Sequence, residues 1–250
     1  MDKEQIISKS LIDDYLQRLE IDKKIRESGV YFATDLVKPC MLNVYYGIKE
    51  ETTPSKKQLR VYESGNILED FWINSVLRNT PGIQVLATQL PARYMGEDFS
   101  IHGRIDCLVL EAGKLVIYEV KTAKTSSWMT REKQDHYLQL NFYLNCLCVD
   151  FGKISYIDKS IMLLGEDPKN PTLPPDTNYP VERNRADFDY LIETAKTLHI
   201  AVSTETPPAP KPCWLCEKNE MYCDYYNKCP IYQTPQCKSL EGVESVNEEV

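Results

Sequence analysis

The chain has 250 residues, of which 42% are hydrophobic, enough for one substantial core with an appendage and too apolar for a disordered chain. No apolar run nears the ~20 residues of a membrane span and the first twenty residues do not resemble a signal peptide, so a cytoplasmic protein without membrane contact is expected. Nine cysteines, an odd number in a chain expected to stay reduced, point to metal binding over disulfides, while a net charge of −8 runs against simple electrostatic capture of nucleic acid.

Residues 3–28 mix Ile, Leu and Tyr with charges at helical spacing and end at Ser28-Gly29, which predicts an amphipathic helix. Cys40 follows alone, and a single cysteine is more often a small buried apolar group than a ligand. A second helix is predicted from about Lys57 to Asn79, with Leu59, Tyr62, Leu68, Trp72 and Val76 on its apolar face, Gly65 interrupting it and Thr80-Pro81-Gly82 ending it. A first strand opens at Gly82–Ala87.

Two further strand-like runs carry the chemistry. Along Ser100–Glu111, alternation places Ile101, Gly103, Ile105, Cys107 and Val109 on one face and His102, Arg104, Asp106, Leu108 and Leu110 on the other. Along Lys114–Thr122, Leu115, Ile117, Glu119 and Lys121 share a face. Ala112-Gly113 reads as a two-residue hairpin loop. Glu111 then pairs with Lys114, and the same register brings Asp106 opposite Glu119. Residues so paired have Cβ atoms roughly 5 Å apart, close enough for two carboxylates to grip one hard cation. A solvated surface hairpin is the bland alternative. Against it stands the apolar run Leu115-Val116-Ile117-Tyr118 leading into Glu119, since burying charge without a partner is costly.

Beyond Lys121, a polar loop through Met129 leads to a helix over Thr130–Cys148, with Gly152 just past its end and His136, Gln139 and Tyr143 on one face. Lys121, Lys124, Arg131 and Lys133 make a local basic strip. Lys153–Leu164 alternates as a strand, Asp167–Pro180 with five prolines reads as a loop, and Asn184–Val202 as a helix. Pro207, Pro208, Pro210 and Pro212 form a stiff connection to Cys213, Cys216, Cys223, Cys229 and Cys237. Cys213-x2-Cys216 spacing lets two thiolates share one ion, and four local cysteines could hold zinc. Glu241, Glu244, Glu248 and Glu249 lie in an acidic tail.

Gly103-x-x-Asp106, Glu119-x-Lys121 and Gln139-x-x-x-Tyr143 occur in the order and at the distances that resemble the RecB-like branch of the PD-(D/E)XK nucleases. The resemblance spans roughly residues 57 to 165, with cysteine features extending it to both ends. It implies an α/β, restriction-endonuclease-like core, a mixed sheet flanked by helices, with a C-terminal cysteine-cluster appendage. The implied division is an N-terminal helical segment over 1–56 that includes Cys40, a nuclease core over 57–205, a cysteine cluster over 206–237 closing onto the N-terminal segment, and a disordered tail over 238–250. It further implies Asp106, Glu119, Lys121, Gln139 and Tyr143 as catalytic residues, and Mg²⁺ or Mn²⁺ held by Asp106, Glu119, the Val120 carbonyl and Glu69. Glu69 stands where the family places a helix histidine, with Asp70 beside it as the spare candidate; a solvated Glu is the other reading. The cysteines resemble those of iron–sulfur members, including AddB and the CRISPR-associated exonuclease family. There, one cysteine ahead of the core (Cys40) joins three behind it (Cys213, Cys216 and Cys223, with Cys229 as the alternative) around a [4Fe–4S] cluster.

The expected function is a metal-dependent DNA exonuclease acting on single-stranded or frayed ends. The alternative is a catalytically silent DNA-binding or scaffold subunit of a repair, phage or CRISPR-adaptation complex. A third reading is a replication or repair factor that recognises DNA ends through the cysteine appendage.

Overall fold

The computed structural model describes residues 12, 15, 16, 18, 27–50, 55–123, 131–159, 174–211, 223, 225 and 228–230. Its centre is one six-stranded mixed sheet of β1 (Val30–Phe32), β2 (Ile83–Met95), β3 (Ser100–Glu111), β4 (Lys114–Ala123), β5 (Phe151–Asp158) and β6 (Asp176–Glu182). The helices are α1 (Ala33–Leu36), α2 (Met41–Lys49), α3 (Lys56–Phe71), α4 (Gln134–Leu147) and α5 (Arg185–Ser203). α3 runs on through a π turn (Trp72–Val76) and a 3₁₀ turn (Leu77–Asn79). Two apolar clusters cover the two faces. One joins β-residues Ile101, Ile105, Ile117 and Ile154 to α1, α2, α4 and α5, and the other joins Cys107, Val109, Val116, Tyr118 and Val120 to Trp72, Ile73 and Leu77. The result is an α/β sheet flanked by helices on both sides.

The Ala112-Gly113 hairpin forms, with φ of 49° and 77°, the positive pair a two-residue type I′ loop requires. Glu111 pairs with Lys114, and the ladder runs back to Cys107 opposite Tyr118. It ends one step short of Asp106 and Glu119, so the expected cross-strand pair is not a ladder pair. The expected alternation of β3 also fails there: Ile101 and Ile105 pack with α4 and α5, but Cys107 and Val109 pack on the α3 side. The strand changes face at Asp106.

That change coincides with a fork in the sheet. β2 pairs antiparallel with β3 from Ser100 to Glu111, occupying one edge along its whole length. The other edge is shared, with β1 running parallel along Ser100–His102 and β4 antiparallel along Cys107–Glu111. Among the described residues, Gly103 to Asp106 therefore has no strand neighbour on that edge, while β4 continues beside β5 to Ala123. β1 is a strand within the first 56 residues, and Tyr31, Ala33, Leu36, Leu42, Val44 and Tyr45 belong to the main core, so this segment completes the sheet and core.

Other expectations shift with packing. α3 continues through Gly65. α4 begins at Gln134 and ends in Cys148, which adopts the left-handed conformation itself (φ 53°), whereas Gly152 lies in β5 where a side chain would meet Leu140. The stretch read as a proline-rich loop contains β6, whose Pro180 is tolerated because β6 is an edge strand. Asn184 caps α5 by accepting from the Ala186 N–H at 2.9 Å. Of the predicted N-terminal helix, Ile12, Tyr15, Leu16 and Arg18 are described and helical.

A candidate active site at a fork in the sheet

Where β4 leaves β3, the sheet opens, and residues from both faces line one cleft of about 450 Å³. It is bounded by Phe32, Ala33 and Thr34 at the end of β1, His102 to Arg104 and Asp106 on β3, Glu119 to Lys121 on β4, Glu69 on α3, and Gln139 and Tyr143 on α4. The fork brings together every residue that the motifs single out.

Asp106 spans the gap by accepting a hydrogen bond from the Val120 N–H at 2.7 Å, so a side chain stands in for the missing ladder carbonyl. Glu119 points to the α4 side with Lys121, whose ammonium donates to Glu119 Oε1 at 2.6 Å and to Gln139 Oε1 at 3.0 Å. The Gln139 amide in turn donates to the Tyr143 hydroxyl at 2.9 Å, which the Arg104 backbone also hydrogen-bonds. Gly103 lies beneath that ring. A Cβ at position 103 would run into Tyr143 Cε1, so the glycine of one motif makes room for the tyrosine of another.

Asp106 and Glu119 are 7% and 1% exposed, a costly place for two carboxylates. Burial pushes Asp106 well above the usual carboxylate range, reinforced by the charges of Glu119 and Glu69 and opposed by Lys121. Burial raises Glu119 also, against the pull of Lys121. Lys121 is drawn down by its own burial, yet Glu119 and Asp106 outweigh this and hold it above its ordinary value. One oxygen, Glu119 Oε2, is buried without a hydrogen-bond partner among the described residues. An orphaned carboxylate oxygen beside a second buried carboxylate is what a hard cation satisfies, and the donors are all oxygens, as Mg²⁺ or Mn²⁺ prefers. The carboxylates of Asp106, Glu119 and Glu69 are of the donor type such an ion takes. Among the described residues no set of three His, Cys, Asp or Glu side chains is already gathered closely enough to hold one.

Glu69 is half-buried and accepts from Gln89 Nε2 at 2.5 Å, while Asp70 is exposed, bonded to Asn74 at 2.7 Å, and outside the cleft. His136 also stands outside. Its ring lies against Tyr156, with Nδ1 2.8 Å from the hydroxyl, and burial pulls its pKa down to about 4. Lys124 of the expected basic strip lies outside the described residues, and Arg131 and Lys133 are exposed. Sequence reasoning passed over the exposed Arg104 and Phe32 at the rim, and Gln89, which lines an adjoining hollow and reaches the cleft only through Glu69; their only signal is position, which no motif marks.

Cys213, Cys216 and Cys237 lie outside the described residues. Cys40, Cys223 and Cys229 are buried. Asn43 Nδ2 contacts Cys223 Sγ at 3.5 Å, Tyr225 packs on Tyr46 with centroids 5.4 Å apart, and Lys228 pairs with Glu50 at 2.8 Å. The described part of the C-terminal segment thus docks on α2, whose N-cap is Cys40.

Among solved structures, the chain is similar to the crystal structure of SSO0001 at 20% identity and a TM-score of 0.59, over 90% of this chain and 99% of that one. It also matches an alkaline exonuclease (LHK-Exo) from Laribacter hongkongensis at 12% identity and a TM-score of 0.48, over 77% of this chain and 94% of that one. No curated protein matches the sequence. The family model of the PD-(D/E)XK nuclease superfamily matches residues 47–230, a span that holds Glu69, both strands of the fork and the Gln139 and Tyr143 face of α4. With its three motifs converging on one cleft and most of its length matched, the chain belongs to the PD-(D/E)XK nuclease superfamily.

Proposed function

We propose that this protein is a divalent-cation-dependent deoxyribonuclease that trims single-stranded or frayed DNA ends, and that it belongs to the RecB-like branch. The observation that carries the proposal is the pair of buried carboxylates at the fork, one with an orphaned oxygen, beside an ammonium that already bridges two motifs. Asp106, Glu119, Glu69 and the Val120 carbonyl would hold Mg²⁺ or Mn²⁺. Such an ion, when bound, supplies positive charge to the phosphate and acidifies water.

The protein's own groups do the rest. Lys121, kept protonated by its neighbours, donates a hydrogen bond to the attacking water or to a phosphate oxygen, neutralising charge that develops there. Its raised pKa disfavours the role of general base. Gln139 and Tyr143 hold Lys121 in place from α4 and offer polar contacts to the DNA backbone. Arg104, exposed on the cleft wall, adds a cation for a neighbouring phosphate, which offsets the unfavourable net charge locally.

At the other end of the core, Cys40, Cys213, Cys216 and Cys223 (or Cys229) would hold a [4Fe–4S] cluster, or the C-terminal cysteines alone a structural zinc ion. Burial of Cys40, Cys223 and Cys229, and the docking of Cys223, Tyr225 and Lys228 on the α2 region, support a closure of one chain end on the other. The setting we propose is cytoplasmic, with DNA as substrate and protein partners in a repair or CRISPR-adaptation complex. The test is cleavage of labelled single-stranded and duplex DNA with Mn²⁺ or with EDTA. Release of short products in Mn²⁺ alone, faster from single strands, is expected. DNA binding without cleavage in any divalent ion would instead favour a silent binding subunit.

A further inference from the structure

Glu69 reaches the cleft from α3, a helix of 16 residues in which no side chain is buried. Val61, Tyr62, Ile67 and Phe71 are all exposed along it; Leu68 packs partly buried against the Trp72 cluster, the Ser64 hydroxyl accepts from Lys159 at 2.9 Å, and the first fully buried side chains are Trp72 and Ile73. A ligand carried on so lightly anchored an element needs something else to fix it, because a functional side chain must be held to within about 0.5 Å of its working position.

Gln89 is placed to do this. Its backbone is left-handed, with φ of 55°, a conformation that side-chain-bearing residues other than Asn and Asp rarely adopt. It sits on β2 at the level of Asp106, because the strand register passes from Thr88 opposite Cys107 to Leu90 opposite Ile105. Its amide donates to Glu69 Oε1 at 2.5 Å. One unfavourable backbone conformation thus joins the sheet to α3 at the level of the catalytic aspartate, and strain of this kind concentrates where surrounding structure uses it.

We infer that Gln89 is the positioning residue of the metal site: it fixes Glu69 through Oε1 and leaves Oε2 to the divalent cation. Without the amide, the Glu69 carboxylate regains rotamer freedom at the end of its side chain. The inference rests on the reading of the fork as a divalent-metal site. A purely structural role, in which Gln89 merely closes an irregularity in β2, would leave metal affinity untouched.

The experiment is calorimetric titration of the full chain with Mn²⁺ alone, together with thermal denaturation, for Gln89→Gly and Gln89→Ala. Glycine relieves the left-handed strain, whereas alanine keeps it as glutamine does, so the pair separates the amide from the strain. Both variants should lose Mn²⁺ affinity by about tenfold, as loss of an outer hydrogen bond to a metal ligand commonly gives. Gln89→Gly should melt no lower than Gln89→Ala, because only glycine relieves the strain. In a Glu69→Ala background, Gln89→Gly should cost no further affinity. Wild-type Mn²⁺ affinity in Gln89→Gly, or a loss that persists undiminished without Glu69, would overturn the inference. Asp106→Ala separates the two levels: if it retains wild-type affinity, the metal site and the tether fall together, whereas if it loses affinity while Gln89→Gly does not, the tether alone falls.

Discussion

Asp106 is ionisable, nearly buried and crowded by Glu119 and Glu69, and its raised pKa makes it a liability to the metal-free fold. A folded-state pKa above the unfolded value of about 4 means that the native protein binds protons more tightly than the unfolded chain. Its contribution to stability is then greatest below about pH 4 and declines as pH rises toward the raised folded value. His136, pulled down to about 4, works the other way, adding stability as pH rises from there to about 6.5. Comparing Asp106→Asn with the wild type cancels the histidine. In EDTA at pH 8 the variant should be more stable than the wild type, because it carries no buried carboxylate to ionise. The gap should narrow at pH 5, and Mn²⁺ should stabilise the wild type but not the variant. Thermal denaturation in the four conditions checks this, and a less stable variant at pH 8 in EDTA would contradict it. The motif residues were legible because their chemistry is unusual in an apolar setting. Gln89 was not, since glutamine gives no sign that its backbone will turn left-handed, and Arg104 looks like any other strand arginine.

The hairpin and its register follow from Ala112-Gly113, but the fork does not, because a strand run does not say where its neighbour departs. Strict period-two alternation would have kept Ile105 and Cys107 on one face. The departure of β4 and the arrival of β1 on the same edge broke it at Asp106. β1 itself is only three residues long, and β6 was hidden by its prolines, so both depended on tertiary pairing that no local pattern records. The helix α4 is tied to the fork by shape as much as by hydrogen bonds. Gly103→Ala should push its methyl into the Tyr143 ring and destabilise the fold by about 1–3 kcal/mol, the usual range for overpacking. If Tyr143 is the cause, Gly103→Ala together with Tyr143→Ala should destabilise by less than the sum of the two single changes, which denaturant titration can measure. Additive effects would place the strain elsewhere.

At the scale of the whole molecule, Asn43, Tyr46 and Glu50 of the α2 region receive Cys223, Tyr225 and Lys228 from far along the sequence. The spacing of the cysteines made a metal legible, but not which one. If a [4Fe–4S] cluster closes this loop, anaerobically purified protein will be brown, and Cys40→Ser will bleach it and lower the melting temperature, since closing a long loop removes much unfolded-state entropy. Colourless protein holding zinc without iron, and a Cys40→Ser variant that melts as the wild type does, would assign the site to zinc. The nuclease reading itself turns on the cleft, and on Lys121, which hydrogen-bonds both Glu119 on β4 and Gln139 on α4. The direct measurement is the single-turnover rate of end-labelled single-stranded DNA cleavage in Mn²⁺ by wild type and Lys121→Ala, with the fold of both checked by circular dichroism. The account predicts a folded variant that still binds DNA and cleaves at least about a hundredfold more slowly. Cleavage by folded Lys121→Ala at near the wild-type rate would contradict it.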